Sequence, residues 1–195
     1  MSQTNSPLVA LGIPSGDMVH ADFAMSLANM CFNAGARAFL VNAKSSLVMV
    51  ARNQIVEAAK LAKATHVLFL DSDLIFPVTT LSRLLAHGKD IVGGLYVQRV
   101  PPHRSLGEPL EGENASGGLR KMKSMPTGCL LIKLSVFDKL PKPWFNTKAE
   151  GEKILGEDYY FCANARSAGF EIWCDEVLSG ELAHIGTQTF SGAIK

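Results

Sequence analysis

The chain has 195 residues, of which 47% are hydrophobic and 19% charged, a balance that fits one folded domain and excludes a disordered chain or a disulfide scaffold. A formal net charge of +1 supplies no broad basic field, so nucleic acid and anionic membrane are not expected partners. Cys31, Cys129, Cys162 and Cys174 lack metal-type spacing, no signal-peptide pattern opens the chain, and no apolar run reaches the ~20 residues of a transmembrane segment; the expectation is a cytoplasmic protein with reduced thiols.

Apolar strand-like runs alternate with helical patterns along the whole length. In chain order they predict a strand over 8–13, a helix over 22–33 that stops before Gly35, and a strand over 38–41. A helix then follows the capping candidates Ser45 and Ser46 and reaches about 63. Next come a strand over 66–70, a helix after Pro77, strands over 91–92 and 129–134, a helix after Gly156 and a strand over 171–174. Residues 96–126 turn rich in Gly, Pro and charge without a sustained period, which predicts an irregular loop or lid. The expected architecture is a single α/β domain over 1–195, with a central, mostly parallel sheet flanked by helices. The sequence is compatible with a homo-oligomer and fixes no oligomeric state.

The run His66-Val67-Leu68-Phe69-Leu70 has the character of a strand buried on both faces, and it ends in Asp71-Ser72-Asp73. Two carboxylates therefore leave the carboxyl end of a strand, where open α/β sheets bind ligands, and their hard oxygens suit magnesium or manganese. Residues two apart on a straight strand point to opposite faces, so a shared ion requires a bend at Ser72. The alternative is that the acids only cap a turn.

Arg52 falls in the apolar stripe of its helix with Val48, Ile55, Ala59 and Ala62. There it pairs with a carboxylate, reaches a diphosphate, or packs its stem while its head reaches water. Asp158 shares an inward face with Phe161, Cys162 and Ala165, at a helix start whose positive dipole end holds an acid. Pro14-Ser15-Gly16 lets backbone approach a nucleotide after the first strand, and Gly94 and Gly128 either admit a donor sugar or form ordinary turns. Trp144 and Tyr96 offer ring surface to a sugar or pack in the core. The basic residues Arg120, Lys121 and Lys123 read as a solvated loop or a phosphate contact. Neither GxGxxG nor a Walker loop occurs.

Taken together, "VALGIPSGD", "ARNQIVEAA", "HVLFLDSDLIFP", "DIVGGLY", "PTGCLLIKLSVF", "LGEDYYFCANARSAGFEIWCD" and "AHIG" resemble, in this order, the glycosyltransferases of the GT-A fold. The resemblance implies a nucleoside-diphosphate sugar donor approached by Asp71 and Ser72. It also implies a divalent metal, manganese or magnesium, held by Asp71, Asp73 and His184. By the same resemblance Asp158 is the general base of an inverting transfer to an unknown acceptor hydroxyl, and Glu157 is its acceptor-binding neighbour. Trp144 is assigned to the acceptor side, and Pro14, Ser15, Gly16, Arg52, Gly94 and Gly128 to the donor. Two rival readings stand beside it. One is a noncatalytic sugar-nucleotide-binding or assembly module. The other is a haloacid-dehalogenase-type phosphatase, disfavoured because Leu74 and Ile75 stand where that motif carries glycine and threonine.

Overall fold

The computed structural model describes residues 6–99 and 101–186. The amino-terminal half contains β1 (Leu8–Ser15), α1 (Ala21–Phe32), β2 (Arg37–Lys44), α2 (Val48–Leu61), β3 (His66–Leu70), β4 (Leu74–Ile75), α3 (Thr80–Ala86) and β5 (Ile91–Gly93). The short strand β6 (Glu108–Pro109) and the longer β7 (Leu119–Ser124) follow, then β8 (Cys129–Lys133) and the one-turn α4 (Leu134–Phe137). The chain finishes with β9 (Lys148–Glu150), β10 (Lys153–Leu155), α5 (Glu157–Ser167), β11 (Ile172–Asp175), α6 (Glu176–Ser179) and β12 (Ala183–His184).

Eight strands form one sheet in the order β2-β1-β3-β8-β5-β11-β7-β6. β1 is parallel to β2 and β3, and β5 is parallel to β11, whereas β8 and β7 run against their neighbours. The sheet is thus mixed but largely parallel. Helices cover both faces, which is why β3 reads as an unbroken apolar run. Adjacent residues of a strand point to opposite sides. Phe69 accordingly packs with Ile55, Phe137, Phe145 and Phe161 beneath α2, α4 and α5, while Leu68 packs with Phe23, Leu81 and Leu178 beneath α1, α3 and α6.

One aromatic stack sets the spacing that matters most below. Phe69 of β3 meets Phe145 edge-on at 5.3 Å between ring centroids, and Phe145 stacks on Phe161 of α5 at 4.9 Å. Each such contact adds about 0.5–1.5 kcal/mol beyond the area it buries. Asn53 on α2 fixes the middle ring, donating to the Phe145 carbonyl at 2.7 Å and accepting from the Trp144 amide at 3.0 Å. The end of β3 and the start of α5 are therefore clamped together by packing.

Several elements depart from the sequence reading. The expected irregular stretch over 96–126 contains β6 and β7, which pair with each other at the edge of the sheet. The basic residues are on β7 rather than in a loop: Arg120 pairs with Glu176 at 2.6 Å, Lys121 with Glu171 at 3.0 Å, and Lys123 with Glu108 at 2.8 Å. Helix α2 begins after Leu47, and neither expected serine is its cap; Ser45 Oγ instead accepts from the Leu47 amide at 3.1 Å. The buried face of α2 is Ala51, Arg52, Ile55, Val56 and Ala59, rotated from the expected stripe but still including the arginine.

All four cysteines are free, with Cys31 exposed and the others buried. Burial pushes the Cys129 and Cys162 thiols up to about 12, so both stay protonated. Among the described residues no helix is long and apolar enough to cross a membrane.

Candidate functional site

At the end of β3 the chain turns, with the Leu74 amide donating to the Asp71 carbonyl at 3.2 Å, so the expected bend at Ser72 is present. Both oxygens of the Asp71 carboxylate have protein partners. Its Oδ1 accepts from Arg52 Nη2 at 3.0 Å and its Oδ2 from the Tyr96 hydroxyl at 3.2 Å. The other terminal nitrogen of Arg52 donates to Glu157 Oε1. Arg52 is only 3% exposed. Burial works against its charge, but the carboxylates of Asp71 and Glu157 outweigh that and raise the guanidinium above its ordinary range. Burial and then the charge of Asp71 push the Tyr96 phenol well above its usual value, which keeps it a hydrogen-bond donor.

Gly128 closes this group from the side. Its amide donates to the Tyr96 oxygen at 3.2 Å and its carbonyl accepts from the Asp71 amide at 2.9 Å. A Cβ on Gly128 would run into the Tyr96 hydroxyl and the Asp71 carboxylate, with Asp71 Cγ at 2.8 Å. Gly94 is filled likewise, by Leu182 at 2.6 Å and Leu178 at 3.4 Å. Both expectations that these glycines open a path for a sugar are corrected: protein atoms occupy the space.

Asp73 and His184 meet through a small second sheet. β12 pairs antiparallel with β4, matching His184 with Leu74, and the Ile185 amide donates to the Asp73 carbonyl at 2.8 Å. His184 Nδ1 lies 2.8 Å from the Val97 carbonyl, which only accepts, so Nδ1 carries the proton. Nε2 thereby faces Asp73 Oδ2 at 3.6 Å. Arg99 Nη1 pairs with that same oxygen at 3.0 Å. A carboxylate oxygen and an imidazole nitrogen turned toward one another, with the far ring nitrogen held by a carbonyl, are a donor set that fits a divalent cation. Asp71 is held instead by Arg52 and Tyr96, and among the described residues no three metal-ligating side chains gather. The expected three-ligand set of Asp71, Asp73 and His184 is therefore corrected: these residues do not gather into one cluster.

Asp158 sits in the first turn of α5, where Oδ1 accepts from the Tyr159 amide at 2.8 Å. Burial, and then the charge of Glu157, raise its carboxyl above the ordinary range, while Arg52 pulls the other way. Asp71 and Glu157 hold the same guanidinium, so the first turn of α5 and the end of β3 share one side of the sheet.

On the amino-terminal side, Ser15 and Gly16 emerge from β1 and nothing crowds Gly16, whereas Pro14 is buried within the strand. The His20 amide donates to the Ser72 carbonyl at 3.3 Å, which brings the loop after β1 against the acidic turn. Trp144 is a plain correction: it is 2% exposed in the core, with its indole N–H on the Phe137 carbonyl at 2.9 Å, and offers no ring to an acceptor. Glu157, expected at the acceptor, is the ion-pair partner of Arg52. Sequence reasoning missed Arg99 altogether, since nothing in a polar, irregular stretch marks one arginine out. It read Tyr96 as ring surface or core packing, whereas the hydroxyl is what acts on Asp71.

No family model matches the sequence, and no curated protein matches it. Among solved structures the chain is similar to A197 from STIV, with a TM-score of 0.60 over 97% of this chain and 98% of that one, at 17% identity. The resemblance to the GT-A glycosyltransferase family is therefore corrected. Its short motifs, spread along the chain, do not amount to membership of that family. What stands is an α/β fold with a central, largely parallel sheet flanked by helices, shared over full length with A197.

Proposed function

We propose that the chain binds a nucleoside-diphosphate sugar against the turn Asp71-Ser72-Asp73 and transfers the sugar to an acceptor hydroxyl. The observation that carries this reading is the bridge Asp71–Arg52–Glu157, which couples the acidic turn to the helix start bearing Asp158. Ser15, Gly16 and Ser72 line the approach of the nucleotide. Asp158 takes the proton of the acceptor hydroxyl, and its raised carboxyl pKa moves it toward the strength a general base needs near neutral pH. Arg52 and Tyr96 position Asp71 and do not contact the donor. Asp73 and His184 would hold manganese or magnesium, whose charge supports a departing diphosphate.

The test combines thermal shift and transfer assays over a panel of nucleotide sugars with manganese present. Asp158→Asn should bind the donor as the wild type does and lose transfer by about 100-fold or more. Asp73→Ala should lose donor stabilisation as well. Transfer at the wild-type rate by Asp158→Asn refutes the assignment of the base. Because Asp71 and Asp73 are both engaged by protein cations, a sugar-nucleotide-binding module without turnover is the second reading; donor binding with no transfer to any acceptor would favour it.

A further inference from the structure

The short arm that follows β5 touches each member of the acidic turn's surroundings. Tyr96 donates to Asp71, the Val97 carbonyl holds His184 Nδ1, and Arg99 pairs with Asp73. The arm is tied into a hairpin, with the Gln98 amide on the Arg104 carbonyl at 2.9 Å, the Leu106 amide on the Tyr96 carbonyl at 2.9 Å, and Val97 bridged to Ser105. Its two polar side chains differ in kind. Tyr96 is buried and acts on a carboxylate that is already neutralised, whereas the Arg99 side chain is 52% exposed and sits on the one carboxylate oxygen that also faces an imidazole nitrogen.

We propose that Arg99 is a built-in competitor of the divalent cation at Asp73, released when a diphosphate takes the guanidinium. This rests on the reading that Asp73 and His184 accept a cation. A guanidinium and a divalent cation cannot share Asp73 Oδ2 without strong repulsion, so free cation binds weakly while Arg99 is in place. Arg52 does not serve the diphosphate, because it is 3% exposed and its charge is shared between two carboxylates. Arg99 can: its planar fork suits phosphate oxygens, and it is exposed beside the acidic turn. Diphosphate and cation then favour each other's binding through the arginine, in addition to any direct contact between them. Arg99 is a specificity-determining residue that makes the site select the pair over either ligand alone.

The test uses the full chain and measures binding of Mn2+ alone by the electron paramagnetic resonance of the free ion, counting only the component that Asp73→Asn abolishes. Arg99→Gln should bind Mn2+ about fivefold tighter than the wild type, the factor expected for freeing a half-exposed ion pair, while Arg99→Lys should stay near the wild type because it keeps the charge. In parallel, metal-free calorimetry with inorganic pyrophosphate should show weaker binding by Arg99→Gln. Mn2+ affinity that is unchanged or lower in Arg99→Gln overturns the competition while leaving the cation site intact. If the wild type and Arg99→Gln both lack an Asp73-dependent Mn2+ site, the cation reading and this inference fall together.

Discussion

Replacing Arg52 by methionine tests the bridge between the acidic turn and α5. Methionine keeps the apolar stem in the core under α2 but removes the charge that Asp71 and Glu157 share. The Arg52 side chain is 4% exposed, and its partners are 24% and 17% exposed, so neither carboxylate can turn fully to water without moving the turn or the helix start. Two unit pairs at an intermediate effective dielectric are each worth several kcal/mol before desolvation, and removing one partner of a buried pair costs roughly 3–5 kcal/mol net. That is a large share of the stability of a single domain. Urea denaturation at pH 7 should show the loss as a lower midpoint with an unchanged slope. Arg52→Lys should fall between, since one ammonium cannot span both partners as a fork does. A loss under about 1 kcal/mol for Arg52→Met would refute the claim that the guanidinium ties the two elements together.

The native Asp158 carboxyl holds its proton more tightly than the unfolded chain does, so stability falls as pH rises through that window; Asp158→Asn should therefore melt higher than the wild type at pH 7 and match it once the pH is below the carboxylate range. Gly128→Ala must displace Tyr96 or the Asp71 carboxylate and should cost roughly 1–3 kcal/mol in urea denaturation, with a wild-type midpoint showing that the contact is slack. Asp175 caps α6 through the Leu178 amide at 2.8 Å and holds Arg83 and His87, so Asp175→Ala should lose about 2–3 kcal/mol at pH 7. Burial opposes that carboxylate, but the Leu178 amide, His87 and Arg83 outweigh it and hold its carboxyl below the ordinary range. Its contribution is present above the unfolded-state value and lost as pH falls through the folded one, so the gap between wild type and Asp175→Ala should close in acid.

How far the site could be read in advance depended on whether each residue's role was local. β3 was legible to its last residue because a strand buried on both faces leaves a continuous apolar run that ends where its carboxylates begin. The inward position of Arg52 was legible from helical period alone. Strand β7 was not, since charged side chains interrupt its apolar positions and its partners lie far away in sequence. For Trp144 the sequence left ring surface and core packing open, and the acceptor assignment failed because the carbonyl that satisfies its buried indole comes from α4. The hydroxyl of Tyr96 and the guanidinium of Arg99 act on Asp71 and Asp73 only after the chain has folded back, so no short window of sequence contains both partners.

The reversed direction of β8 has a consequence for how this molecule can vary. Because β8 runs against β3 and β5, the residues that enter it come back to the rim that β5 has just left: the Gly94 amide reaches the Cys129 carbonyl at 3.0 Å, and Gly128 abuts Asp71. Everything between is a detour with both anchorages side by side. Doubling the length of such a detour costs only about 0.6 kcal/mol in closure entropy. The turns of this excursion can therefore lengthen or change at the rim, while β7, paired with β11, stays part of the sheet beneath.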